Sequence, residues 1–397
     1  MNARAKEDSR LARGLLAAAA GAGMLTLFCE GASANTSVQL WPLLNLSAQY
    51  TDNLLLAPNA KSDEVATLVG GASLALNNSR RHFSLDYLTD GQLYAEHTNF
   101  DRLAKDNYVG LHDQEILSEA STLWISDTFL DGQSVFGQAL IGSFGLNLQL
   151  SEALLQRNYQ TNSFDSRLHQ VLGPLLFANF DLHQNTFATS TGNSSVSTNQ
   201  GAYATAYYRL NGRLWAGAGY DFEDFRFSNQ PRSDSCEPYL ALRSDLTRRI
   251  RLSAQAGPLV SDSNSGMSLD VGYAIAAAYR AKYWGFDLSS SRAPAMSAGF
   301  GGAGINESVY ATSFYRLTRE TGLYAYTGYS EVTGSGSGGT EIQSFGIGLE
   351  HRLGREWSLY AQYLWFRSAT PASSMALTNS IAAGAKLDAL PWHWSWR

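Results

Sequence analysis

The residues best placed to do chemistry in this 397-residue chain are charged side chains set at even spacing inside alternating stretches. In Ile250–Ala256, Arg251 falls with Ser253 and Gln255 on a polar face, opposite Ile250, Leu252, Ala254 and Ala256. By the same parity Asp86, Asp90, Asp221, Glu223, Arg243, Asp245, Arg251, Asp270, Asp287, Glu350 and Arg352 belong to one polar, lumen-lining face. Opposite charges lining a passage set a field across it and bias which solutes pass. The plainer use of the same charges is cross-strand pairing that keeps an interior wet. Tyrosines in that wall, such as Tyr360, can stack on sugar rings.

Other chemistry has little to stand on. The histidines, His82, His97, His112, His169, His183, His351 and His393, are scattered. No HExxH, CxxC, GxSxG or phosphate-loop glycine pattern occurs. Beyond residue 34 the one cysteine is Cys236, which allows neither an intramolecular disulfide nor a thiolate metal cluster. The expectation is therefore a protein that is not an enzyme and holds no metal or cofactor. A hydrolase at a barrel rim stays as an alternative, because a catalytic triad assembled from distant strands is recognised by geometry alone.

The elements that must position those charges are strands. Alternation with period two recurs at 83–87, 250–256, 284–288, 342–352 and 357–365, in runs near the ten or so residues a tilted strand needs to cross a bilayer. Only 16% of residues are charged, against about 25% in soluble proteins, while 12% are aromatic. The mean hydropathy of −0.20 argues against a bundle of apolar helices. Tyr220, Phe222, Tyr279, Trp284, Trp357, Tyr363 and Trp365 fall on the apolar face near strand ends, as aromatic girdles require. Lipid cannot satisfy an open sheet edge, so such a sheet must close. A soluble sandwich, propeller or solenoid would bury its apolar face and carry more charge outside.

Connector lengths add to this. Short turns are expected at Asn77–Arg80, Asn211–Arg213, Thr247–Arg249, Thr318–Glu320 and Leu353–Arg355. Long polar loops are expected at 183–200, 228–236, 258–267, 292–304 and 331–340. Short turns on one side and long loops on the other predict an all-β, transmembrane, antiparallel up-and-down β-barrel of about 18 strands, with 16 as the alternative. Both termini then fall on the short-turn side. Residues 112–160 read less clearly: 112–124 suit a strand or a helix, and 130–160 suit either a constriction or plug folded into the lumen or two ordinary strands with a loop.

At the N-terminus Arg4, Lys6, Arg10 and Arg13 precede an apolar Gly14–Phe28 and the small residues Ala32-Ser33-Ala34. This pattern predicts a cleaved signal peptide over 1–34 and one barrel domain over 35–397. The apolar run is short for a membrane anchor, and Phe28 before Cys29 is poor for a lipoprotein site. The first 34 residues carry one net positive charge, so the −6 of the whole becomes −7 for the remainder, against nucleic acid as a partner. At the other end, "LPWHWSWR" places Trp392, Trp394 and Trp396 on one face, as an interface belt and part of an assembly signal, with Arg397 reaching toward headgroups. A closing strand at 376–388 would deliver this segment, with Pro391 interrupting the ladder.

Tyr50-Thr51-Asp52-Asn53, followed by an apolar pair, resembles the opening motif of outer-membrane β-barrel porins associated with the PEP-CTERM/exosortase system. "RRHFSLDY" at 80–87, after a strand from Val65 to Leu76, is similar to that family's second hairpin. The resemblance covers about the first third of the chain, and it implies a setting among exopolysaccharide biosynthesis and export genes. One departure is the final Arg397, where such barrels usually end on an aromatic. Read physically, Tyr50 suits the interface, and Asp52 and Asn53 suit a strand-to-loop cap more than a binding site. The expectation is a passive outer-membrane channel for exopolysaccharide or small solutes, with a non-transporting barrel that binds polysaccharide or envelope partners through its loops as the alternative. Expected partners are outer-membrane lipid, the barrel assembly machinery, and polysaccharide with its export machinery.

Overall fold

The computed structural model describes residues 36–53, 61–98, 102–132, 159–189, 195–228, 230–263, 266–296, 303–334, 340–370, 373–388 and 392–396. The signal-peptide segment 1–34, Arg397 and most of the 130–160 plug segment lie outside them.

The chain runs as consecutive antiparallel strands: β1 (Thr36–Thr51), β2 (Asp63–Asn77), β3 (Arg81–Tyr94), β4 (Arg102–Ser118), β5 (Ser121–Gly132) and β6 (Tyr159–Gly173). There follow β7 (Leu176–Thr189), β8 (Ser195–Arg209), β9 (Leu214–Phe227), β10 (Gln230–Ser244), β11 (Ile250–Ser263) and β12 (Gly266–Arg280). The wall is completed by β13 (Trp284–Met296), β14 (Ala303–Arg316), β15 (Thr321–Gly334), β16 (Thr340–Leu353), β17 (Trp357–Thr370), β18 (Ser373–Asp388) and the short β19 (Trp392–Trp396). Each strand from β1 to β17 pairs with the next, and β1 pairs with both β2 and β18, so the sheet closes on itself. β19 continues along the edge of β1 that β18 occupies, Leu40 opposite Trp392 and Thr36 opposite Trp396. The two therefore share one position in the wall, which makes the barrel 18-stranded and removes the 16-strand alternative.

The closing strand starts at Ser373, three residues before the expected 376, and the interruption between β18 and β19 contains Pro391. Trp392 is exposed. The 112–124 stretch resolves in favour of strand: β4 and β5 form a hairpin that turns at Glu119-Ala120.

The short turns share one device. Asn78 Oδ1 accepts from the amides of Arg80 and Arg81, both at 2.8 Å. Asn211 Oδ1 accepts from Arg213 N at 2.8 Å. Thr247 Oγ1 accepts from Ile250 N at 3.0 Å, and Thr318 Oγ1 from Thr321 N at 2.9 Å. A short polar side chain thus mimics the backbone acceptor of a tight turn. At Leu353–Trp357 the turn instead uses Gly354, whose φ of 74° an L side chain rarely adopts.

On the other side of the barrel the expected long loops are corrected. Residues 183–200, 228–236, 258–267 and 292–304 are mostly paired strand, because β7 runs on to Thr189, β10 begins at Gln230 and β11 extends to Ser263, while 331–340 keeps strand only at 331–334 and 340 among the described residues. Strands of 12 to 17 residues exceed the ten or so that cross a bilayer. Past membrane depth both faces meet water, so polarity ceases to alternate while backbone pairing continues.

The outer face is apolar where it would meet lipid: Leu46, Tyr50, Leu68, Phe180, Leu182, Leu240, Leu269, Ile275, Leu359 and Ile381 are all exposed there. A closed sheet with an apolar outside is the form in which strands cross a bilayer. Among the described residues no helix is long and apolar enough to do so. The aromatic residues expected in the girdles lie on this face, with Tyr279 and Trp284 packed at 4.3 Å between ring centroids at the short-turn side.

Candidate functional site

The inner face can be followed strand by strand through the register. Asn45, Ser47, Gln49 and Thr51 of β1 lie opposite Val69, Thr67, Val65 and Asp63 of β2, all eight buried. Continuing through each ladder returns to β1 on the same parity, since Ser380, Ala382 and Gly384 of β18 lie opposite Thr51, Gln49 and Ser47. Ten of the eleven charged residues singled out in the sequence occupy this face. The eleventh, Asp245, lies just past the end of β10 in the turn, 3.1 Å from Arg251 Nε.

The charges divide by arc. Among the described side chains, the inner positions of β3–β10 carry Asp86, Asp90, Asp106, Asp165, Asp181, Asp221, Glu223 and Glu237 against Arg167, Arg209 and Arg243. Those of β11–β18 carry Asp270, Asp287 and Glu350 against Arg251, Arg280, Arg316, Arg352 and Lys386. One arc is acidic by five charges and the other basic by two.

Within the acidic arc several carboxylates have protein partners. His183 Nε2 lies 3.1 Å from Glu223 Oε2, Tyr203 OH donates to Glu223 Oε1, and the His183 and Tyr203 rings stack at 4.8 Å. Gly201 makes room for this group, since a Cβ there would collide with the imidazole. Arg167 pairs with Asp181, and Gln92 Nε2 donates to Asp90 Oδ2 at 2.9 Å. Asp221 and Glu237 lie directly opposite one another, two like charges whose proximity costs free energy. Across the barrel Arg280 bonds Asp287 at 2.6 Å and Arg292 bonds Asp270 at 2.6 Å. Arg243 lies 5.9 Å from the Trp215 ring.

Sequence parity missed Asp106, Asp165, Arg167, Asp181, Arg209, Glu237, Arg280, Arg316 and Lys386. The signal was present in β6 and β7, where Asp165, Arg167 and His169 alternate. Glu237 was hidden because its strand begins inside a stretch read as loop. The histidines do not converge: His97 pairs with Asp63, His112 with Ser126, His169 with Asn179 and His82 with Asn77. Among the described residues no group of three or more potential ligands could hold a metal ion.

The Tyr50–Asn53 motif sits at the seam where first and last long strands meet. Asp52 Oδ1 accepts from Asn379 N at 2.6 Å and Thr378 Oγ1 at 3.2 Å, and its Oδ2 accepts from Asn379 Nδ2 at 2.6 Å. Thr51 and Thr378 hydroxyls bond at 3.0 Å, and Asn53 Nδ2 donates to Leu377 O at 2.9 Å. Tyr50 faces outward and is exposed. The motif is a latch between β1 and β18, a more specific role than a cap on its own loop.

Compared with solved structures, the chain is similar to a BenF-like porin from Pseudomonas fluorescens Pf-5, at 10% identity and a TM-score of 0.45 over 88% of this chain and 98% of that one. It is similar to Pseudomonas aeruginosa OccK2 (OpdF), at 11% identity and 0.45 over 91% and 98%. For Pseudomonas aeruginosa OccK1 (OpdK) the values are 12% and 0.46 over 90% and 99%. Likeness at this level says nothing of substrate, and the fold stands on the strand register above. No protein family and no curated protein matches the chain.

Proposed function

We propose that this barrel is an outer-membrane, porin-like channel that passes small polar solutes passively. The observation that carries the reading is the division of the inner face into an acidic arc on β3–β10 and a basic one on β11–β18. Opposed arcs of charge orient dipolar and charged solutes as they pass. In the same reading the ten of the eleven charged residues named from the sequence that line the inner face tune selectivity, and Tyr50–Asn53 connects the chain to barrels that work beside exopolysaccharide export. The test is single-channel conductance of the refolded full chain in planar bilayers under a salt gradient. Discrete steps with a reversal potential favouring cations are expected. A bilayer that stays silent while the protein is heat-modifiable on gels would reject the channel and favour a structural barrel.

A further inference from the structure

Four inner-face tyrosines on β14–β17 are mounted in one way. Tyr310 lies opposite Gly328, Tyr326 opposite Gly346, Tyr324 opposite Gly348 and Tyr360 opposite Gly384, each pair directly across a ladder. At Gly328, Gly346 and Gly348 the space a Cβ would take is filled by the tyrosine ring, and at Gly384 by the phenol end of Tyr360 together with the Leu46 carbonyl oxygen. The ring therefore lies along the wall instead of projecting from it, leaning onto the next strand, and it turns a face toward the lumen. Tyr310 and Tyr326 are each 36% exposed, while Gly328 beneath Tyr310 is buried.

The four rings form a descending line. From Gly328, the partner of Tyr310, two steps of two residues along β15 reach Tyr326 and Tyr324; Tyr360 lies one further step toward the short turns on β17. Tyr310 and Tyr326 are diagonal neighbours on adjacent strands, a spacing of about 7–8 Å; Tyr324 follows two residues along the same strand, and Tyr360 lies two strands over, across β16. Hydrogen-bonding groups flank the rings, with Tyr324 OH donating to Gln362 Oε1 at 3.2 Å and Tyr360 OH to Asn45 Oδ1 of β1 at 3.1 Å. The described inner positions of β15 and β17 carry no charged residue.

We infer that this line is a track for a neutral carbohydrate chain. Flat aromatic faces match the C–H face of a pyranose ring, and phenol and amide edges match its hydroxyls. Tyr310, Tyr326 and Tyr324 have only uncharged residues directly across their ladders, which fits a neutral sugar better than an ion. Charge enters at the short-turn end, where Glu350 stands opposite Tyr360. Rings seated on glycine pass little of their freedom to a ligand, because the wall already holds them. The inference deepens the channel reading and rests on it for the idea of passage, although binding to the track can be measured without conduction.

The test uses maltohexaose as probe and two readouts on the refolded full chain, calorimetric titration in detergent and interruption of single-channel current. Binding in the first and concentration-dependent interruptions in the second are expected, with a polyethylene glycol of similar size giving no heat. Tyr324→Leu with Tyr326→Leu should weaken binding by at least about tenfold, a scale typical of lost aromatic stacking. Gly346→Ala, which lifts the Tyr326 ring off the wall, should weaken it in the same direction. Heat-modifiability establishes that each variant is folded. Sugar binding in a barrel that does not conduct would leave the track standing and reject the channel. A conducting barrel that binds no maltohexaose, or binds it equally well in the folded double variant, would overturn the track.

Discussion

The two arcs of the inner wall share one strand geometry and the same seating of rings on glycine, with Tyr207 over Gly217, Tyr239 over Gly219 and His183 over Gly201 in the acidic arc, and they differ in what surrounds those rings. On β3–β10 the carboxylates are packed in: Asp90, Asp106, Glu223 and Glu237 are all buried, Glu223 leans on His183 and Tyr203, Asp90 accepts from Gln92, and Asp181 pairs with Arg167. On β14–β17 Tyr310, Tyr324, Tyr326 and Tyr360 stand on glycines with no buried carboxylate directly opposite, and Tyr310 and Tyr326 stay accessible. The contrast follows from desolvation. A buried carboxylate must replace its lost water with hydrogen bonds and countercharges, so an acidic wall has to be built as a network. A tyrosine ring loses little when half covered and needs only a floor without a Cβ. One arc is thus fitted to a field and the other to a surface.

Both arcs depend on the seam between β1 and β18, and breaking it should have the largest effect. Asp52→Ala removes the acceptor for Asn379 N, Asn379 Nδ2 and Thr378 Oγ1. Hydrogen bonds to a charged group contribute about 1.5–3 kcal/mol each before compensation, so a loss of about 3 kcal/mol overall is expected. It should appear as a lower temperature for loss of the compact band on gels. Asp52→Asn, which keeps one acceptor, should recover part of the loss. A transition unchanged in Asp52→Ala would mean that the closing ladder alone holds the barrel.

A smaller effect should separate the arcs. Neutralising Asp221, Glu223 and Glu237 with Asp221→Asn, Glu223→Gln and Glu237→Gln removes three of the acidic arc's charges and leaves the tyrosine arc untouched. A unit charge about 10 Å from an ion in water contributes about 0.4 kcal/mol before screening, so cation-over-anion permeability should fall roughly threefold to tenfold at low salt. The opposite change, Arg352→Gln with Lys386→Gln, should raise the ratio by less. Reversal potentials that do not move in either variant would show that the arcs do not set the field. Maltohexaose affinity should be indifferent to both.

How far the molecule was legible in its sequence differs between the same regions. The inner parity of β9, β11, β13 and β16 could be read because each alternates cleanly within bilayer depth, and the turns at Asn78, Asn211, Thr247 and Thr318 announced themselves by residue type. Strand extensions at 183–189 and 195–200 carry a loop-like sequence, because outside the bilayer nothing enforces an apolar face. The latch could not be read at all, since Asp52 and Asn379 are 327 residues apart and only closure of the barrel brings them together. The seating of Tyr326 on Gly346 was equally hidden: sequence shows many glycines and many tyrosines, and register alone pairs them.

The smallest expected effect concerns the rim where the inner face begins. Asp63 is the first residue of β2, at the loop-side end of a 15-residue strand and thus beyond the ten or so residues that cross the bilayer. Burial raises its carboxyl pKa, but hydrogen bonds from the backbone of Glu96, the side chain and backbone of His97, and the backbone of Glu64 outweigh that and hold it below its ordinary 3.8. Glu96 N and His97 N each lie 3.0 Å from the carboxylate and His97 Nδ1 lies 2.8 Å from it, so the segment leaving β3 is tied to the start of β2. With the folded pKa depressed, the unfolded chain takes up the proton first as pH falls. The stabilisation is therefore complete above the unfolded value near 3.8 and disappears as pH drops through the lower folded value. Asp63→Asn should cost about 1 kcal/mol at pH 7, and the difference between wild type and variant should shrink toward zero in acid below the folded pKa. Unfolding midpoints in urea at pH 7 and pH 3 measure that difference; a gap that persists unchanged at the lower pH would mean that packing, and not the ionised carboxylate, anchors this rim.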